Sequence, residues 1–244
     1  MAPRRKRARA AGVLSLLTHV PAVPAAFRYA PILHQADDVL ASGSDTPVLL
    51  RAFLELLCAL ASVGTAVALF PVVKRQNEGV ILGYVGLRTL DAGIIAIGVI
   101  PLLAVVTLRQ DLTGTAGTDT AALLTLGIAL VEFHNWTRLL GPGLVCGTNS
   151  VLMAYLMYRS RLVPRFIPAL GLVGGPLVFA FNAALMLGTS EQILSWAAIG
   201  VVPIFAWEVT LAFRLIAKGF RAAGIAPEPA RPATKELLSP HGAA

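Results

Sequence analysis

The run from Val80 to Leu108 is apolar except for Arg88 and Asp91, with a few small or hydroxylated residues between. It exceeds the roughly 20 residues that cross a bilayer core. Such a run constrains the chain severely, because in hydrocarbon each backbone N–H and C=O has to be satisfied within its own helix. Similar runs cover 48–73, 139–158, 166–187 and 193–216, and a shorter one, interrupted by Pro21 and Pro24, covers 11–27. Only 14% of the 244 residues are charged and mean hydropathy is +0.74. A soluble domain carries about 25% charged residues. No polar half remains to build one. The expectation is an all-α polytopic integral membrane protein, a bundle of six transmembrane helices over 11–217.

The segments between the runs set the orientation. Arg4, Arg5, Lys6, Arg7 and Arg9 precede the first run, Lys74 and Arg75 follow the second, and Arg159, Arg161 and Arg165 follow the fourth. Lys218, Arg221, Arg231 and Lys235 follow the sixth. These clusters alternate with segments poor in Lys and Arg. Positively charged loops stay on the cytoplasmic side. Six spans with an N-in/C-in topology in the inner membrane therefore account for every cluster. Residues 1–10 read as a basic cytoplasmic tail and 218–244, rich in Pro and Ala, as a disordered one. A basic start before an apolar run also fits a secretory signal, with "AVPAA" as its cleavage site, but five further spans favour an uncleaved first helix. Residues 121–136, "AALLTLGIALVEFHNW", read either as an interfacial helix or as the outer part of the fourth span.

Several function classes fall away. The net charge of +7 lies in short clusters between spans, so nucleic acid is not an expected partner; the lipid bilayer is. Cys58 and Cys146 lie inside apolar runs and form neither a disulfide framework nor a four-ligand zinc site. His19, His34, His134 and His241 are dispersed, so no metal or cofactor is expected. P-loop, G-x-S-x-G and Cys-x-x-Cys patterns are missing, and no catalytic residues are assigned. No feature sets an oligomeric state. Gly83, Gly86, Gly93 and Gly98 in the third span, and Gly171, Gly174 and Gly175 in the fifth, read as faces for close helix packing. Gly141 and Gly143 around Pro142 read as a kink.

Two stretches carry a resemblance. "RAFLELLCALASVGTAVALFPVVKRQNEGVILGYVGLR" and "GTNSVLMAYLMYRSRLVPRFIPALGLVGG" resemble the bacterial membrane proteins grouped as domain of unknown function 4386. The resemblance runs from about Ala11 to Gly219, and "LMYRSRLVPR" is its most specific piece. It implies a multi-span bacterial membrane protein and supplies no activity. Where that family often has aromatic and His residues in the fourth span, this chain reads "GPGLVCGTNSVLMAY".

The chemistry that remains is the charge inside the spans. An ionisable residue there costs about 2.5–3.5 kcal/mol on insertion scales and needs a partner or a water path. Arg51 and Glu55 are spaced i,i+4, and Arg88 and Asp91 i,i+3, so each pair shares one helix face. By depth, Glu55, Arg88, Asp91 and Asn149 are expected to converge near the middle of the bundle, with Glu208 on the inner side. Arg51 is expected to snorkel to the outer surface. That leaves three acids against one base, and a surplus acid needs a proton or another partner. The set reads either as a polar clamp fixing helix register or as a midplane site for a small-molecule or ion substrate. A second cluster, Glu132, His134, Trp136 and Arg138, is expected at the outer interface, with Trp136 as an anchor.

Overall fold

The computed structural model describes residues 2–19, 45–114, 120–188 and 192–221. All their regular structure is helical. The helices are α1 (Ala2–Leu17), α2 (Thr46–Val73), α3 (Glu78–Gly114), α4 (Thr120–Arg138), α5 (Cys146–Ser160), α6 (Phe166–Met186) and α7 (Gln192–Ala217). A π-helical segment, Leu139–Val145, joins α4 to α5 without a break. Residues 121–160 are therefore one rod of 40 residues. The segment 121–136 continues the fourth span rather than forming a separate helix.

Four stretches among the described residues are long and apolar enough to cross a membrane: Thr46–Val73, Glu78–Gln110, Ala121–Ser160 and Phe166–Met186. Their exposed faces point the same way. On α2, Leu49, Phe53, Leu56, Leu60 and Val67 are exposed at helical spacing, while Ala52, Ala59, Ser62, Thr65 and Ala66 are buried. Large apolar groups outside and small or polar groups inside are the reverse of a helix on a soluble core. That inversion is what a helix solvated by lipid requires.

The first helix departs from the sequence expectation. It begins at Ala2, so most of the segment read as a basic tail is helical. Arg5, Lys6, Arg7 and Arg9 face outward, while Ala8 and Ala11 are buried. Arg and Lys are good helix formers, and Ala8 and Ala11 continue the apolar face one helical turn earlier than hydropathy suggested. Of the run 11–27, residues 20–27 lie outside the described residues. So do most of the loop before α2 and, from 222 onward, the C-terminal segment.

The rods close into a ring. α1 packs on α2, α2 on α3, α3 on both α4 and α5, α5 on α6, α6 on α7, and α7 back on α1. The closest crossings are made by glycines. A Cβ on Gly147 would lie 2.9 Å from the Gly175 carbonyl, and one on Gly175 2.7 Å from the Gly147 carbonyl. One on Gly174 would lie 2.5 Å from the Ile204 nitrogen, and one on Gly171 2.8 Å from the Trp207 ring. Backbones approach this closely only without side chains between them. The small-residue face expected on the fifth span is thus used. The third-span glycines behave differently: Gly86 and Gly93 have no neighbour within 4 Å, and Gly98 alone makes a tight contact, with Thr137 of α4.

Candidate functional site: polar groups at two levels of the bundle

Two polar clusters lie inside the ring. One, named outer because it lies toward the N-terminal end of α2, is built on α2, α3 and α4. Arg51 donates through Nε to Glu55 Oε1 (3.1 Å) and through Nη2 to His134 Nε2 (2.9 Å). His134 Nδ1 is 2.8 Å from the Gly98 carbonyl, and its Nε2 is 3.5 Å from Glu55 Oε1. A carbonyl only accepts and a guanidinium only donates. The neutral Nδ1–H tautomer of His134 therefore satisfies both contacts at once. Thr137 donates to the His134 carbonyl (2.7 Å) and packs on Gly98. Every side chain in this cluster has a partner.

Several expectations change here. Arg51 does not reach the surface; it is 6% exposed. Glu55 turns to Arg51 and His134 rather than to Arg88. His134 is fully buried, while its neighbours Glu132, Trp136 and Arg138 are exposed, so the expected outer cluster is split. The reason is helical phase. His134 and Thr137 are i,i+3 and share the inward face, whereas Glu132 and Trp136 point away from it.

The second cluster lies deeper. Arg88 is ten residues into α3, about 15 Å from the helix start, which is half the thickness of a hydrocarbon core. Arg88 Nη1 is 3.8 Å from Asp91 Oδ2, a long ion pair, and the Tyr84 hydroxyl lies against the guanidinium from one turn below. Asp91 also faces the π-helical segment: a Cβ on Gly141 would sit 3.2 Å from Asp91 Oδ1. Asn149, on the first turn of α5, is 1% exposed. From the opposite wall Glu208 of α7 meets His19, Oε2 to Nε2, at 2.9 Å. Ser15, Thr65, Tyr84, Arg88, Asn149, Ser150 and Glu208 line a cavity of about 20 Å³, with Trp207 and Met153 as apolar walls. That volume admits about one water molecule.

This cluster, unlike the outer one, is incompletely paired. Arg88 Nε, Asp91 Oδ1 and both Asn149 amide atoms are buried without a hydrogen-bond partner in the protein. Unmet buried polar groups cost about 1–3 kcal/mol each. Those on Arg88 and Asn149 belong to side chains that line one cavity, and they mark a place built for something besides this chain's own side chains.

The charge surplus anticipated from sequence is resolved by two bases. Arg51 takes Glu55, and His19 takes Glu208. The sequence reading weighed His19 only as a metal ligand. The available signal was the trio Ser15, Thr18 and His19, a polar i,i+3,i+4 face on an otherwise apolar run. Among the described residues no group of three His, Cys, Asp or Glu side chains is placed to hold a metal ion.

Lipid-facing apolar stripes around paired and unpaired interior charge define a helical membrane protein. The chain belongs to the family described as Domain of unknown function (DUF4386), whose family model matches residues 10–219. No curated protein and no solved structure matches the chain.

Proposed function

We propose that the protein is a small permease-like membrane protein whose midplane cavity, sized for about one water molecule in this structure, widens to bind a small polar solute or ion. The observation that carries this reading is Asn149, which is buried yet offers a free donor and a free acceptor on the wall of the cavity that Arg88 also lines. A purely structural polar cluster gains nothing from leaving those groups unmet. The outer cluster, fully partnered, fits the other reading: it is the clamp that sets the register of α2, α3 and α4. Structural and functional readings thus apply to different levels of one bundle. The reading includes an N-in/C-in orientation in the inner membrane of a bacterial cell, supported by the alternation of basic clusters along the chain.

The test is a thermal-shift screen of the purified protein against small cations, carboxylates and neutral polar solutes. A ligand at 100 times its Kd raises stability by about 2.7 kcal/mol. Asn149→Leu keeps the branching of the side chain, adds methyl bulk toward the cavity and removes both unmet groups. It should keep or raise basal stability, by about 1 kcal/mol, and abolish any ligand shift. A strongly destabilised Asn149→Leu would show that Asn149 is a structural partner and sink the proposal.

A further inference from the structure

We infer that the ion handled at the midplane is a proton, held by the His19–Glu208 pair; this rests on the midplane-site reading above. The hydrogen inventory carries the inference. His19 Nδ1 is 2.9 Å from the Ser15 carbonyl, which accepts only, so Nδ1 carries a hydrogen. His19 Nε2 is 2.9 Å from Glu208 Oε2, and a hydrogen has to lie between those two atoms as well. The pair therefore holds one proton more than a neutral imidazole beside a carboxylate would require.

Other groups face the pair from the helices around it. Arg88, Asp91 and Tyr84 come from α3, Cys146 from α5 and Cys58 from α2. Arg88 is the one permanent cation among them. It lines the same cavity as Glu208 and sets a positive charge on the carboxylate's side of the pair. Phe205 packs edge-on against the imidazole, with ring centroids 5.3 Å apart, and fixes its plane.

Loss of the proton has a mechanical consequence. The hydrogen leaves Nε2, its bonding pair stays on the ring, and the charge of the pair falls from zero to minus one. With one hydrogen left on the ring, two lone pairs face each other at hydrogen-bond distance either at Glu208 or, in the other tautomer, at the Ser15 carbonyl, where Thr18 Oγ1 lies 3.3 Å from Nδ1. Arg88 offsets the charge from across the cavity but cannot restore the missing hydrogen. The link between α1 and α7 at the His19 level is lost in the Nδ1–H tautomer and kept, without its charge, in the Nε2–H tautomer. Gly12 still holds the two helices lower down, where its Cβ position lies 2.7 Å from the Ala212 carbonyl. The proton thus tightens one end of the α1–α7 contact, while Gly12 keeps the other end close.

The test uses the full chain labelled with nitrogen-15 histidine in lipid nanodiscs near neutral pH. His19 should carry hydrogen on both ring nitrogens, while His134 carries it on Nδ1 alone; His19→Gln and His134→Gln assign the signals. Glu208→Gln should return His19 to a single hydrogen. In liposomes with a trapped pH-sensitive dye, potential-driven proton entry should fall at least tenfold in Glu208→Gln and in His19→Gln. The double variant His19→Gln with Glu208→Gln keeps a neutral hydrogen-bonded pair, so it should retain the fold and still lack flux. A singly protonated His19 in the unaltered protein overturns the inference. So does wild-type flux at background level, or flux unchanged by these substitutions. Solute shifts that depend on Asn149 but ignore His19 and Glu208 would leave the binding reading standing and overturn the proton alone.

Discussion

His134 and Asn149 are both polar, both buried, and opposite in consequence. His134 has its two ring nitrogens engaged, by Gly98 and Arg51. His134→Leu strands the guanidinium and the carbonyl together, so it should cost about 2–4 kcal/mol and lower the melting temperature in detergent by several degrees. Asn149→Leu strands nothing. Comparing the two melting curves on equal footing tests the division of the bundle into a clamp and a site. The sequence revealed that Arg88, Asp91, Glu55 and Glu208 would be inside, because hydropathy sets depth. It also revealed the in-helix pairs Arg51–Glu55 and Arg88–Asp91, but not the cross-helix partners His134 and His19. Partner choice depends on which faces of separate helices meet, and Glu55 and Asp91 differ only in phase toward α4 or toward the cavity. His19 escaped because the prolines after it weakened the reading of its own run.

Elements repeat that lesson. Span positions follow from hydrophobic length, so the bounds of α2 and α6 lie within two residues of their apolar runs, while α3 continues six residues past Leu108. The π-helical segment was not, because nothing in "LLGPGLV" says how a chain that lacks the Pro142 N–H closes its turn. Pro142→Ala restores that donor. The segment should tighten into regular α-helix and rotate Asn149 relative to Asp91. Hydrogen exchange at 139–146 should then slow, and any ligand shift that depends on Asn149 should vanish. Glycine spacing alone also misleads. Gly86→Ala meets open space and should be neutral or stabilising by up to about 1 kcal/mol. Gly174→Val drives a side chain into the Ile204 backbone and should cost more than about 2 kcal/mol, seen as loss of the folded species on size-exclusion chromatography.

For the molecule as a whole, orientation is the open quantity, and it follows from where charge lies along the chain. With Cys58 and Cys146 replaced by Ala, single cysteines at Gln76 and Arg161 should react with a membrane-impermeant maleimide only after the cells are opened. One at Gln110 should react in intact cells. Reactivity of all three from outside would contradict the N-in/C-in arrangement.

Ring closure sets the order in which such a chain can be finished. The partner of α1 on one side is α2, made soon after it; on the other side it is α7, made last. Ala8 and Gly219, near opposite ends of the described chain, lie side by side, with 3.8 Å between the Ala8 Cβ and the Cβ position of Gly219. Until α7 has entered the bilayer, the Ser15–His19 face of α1 has no Glu208 to meet. During synthesis the first helix is therefore a placeholder. A chain stopped before Gln192 would leave the Ser15–His19 face without its Glu208 partner.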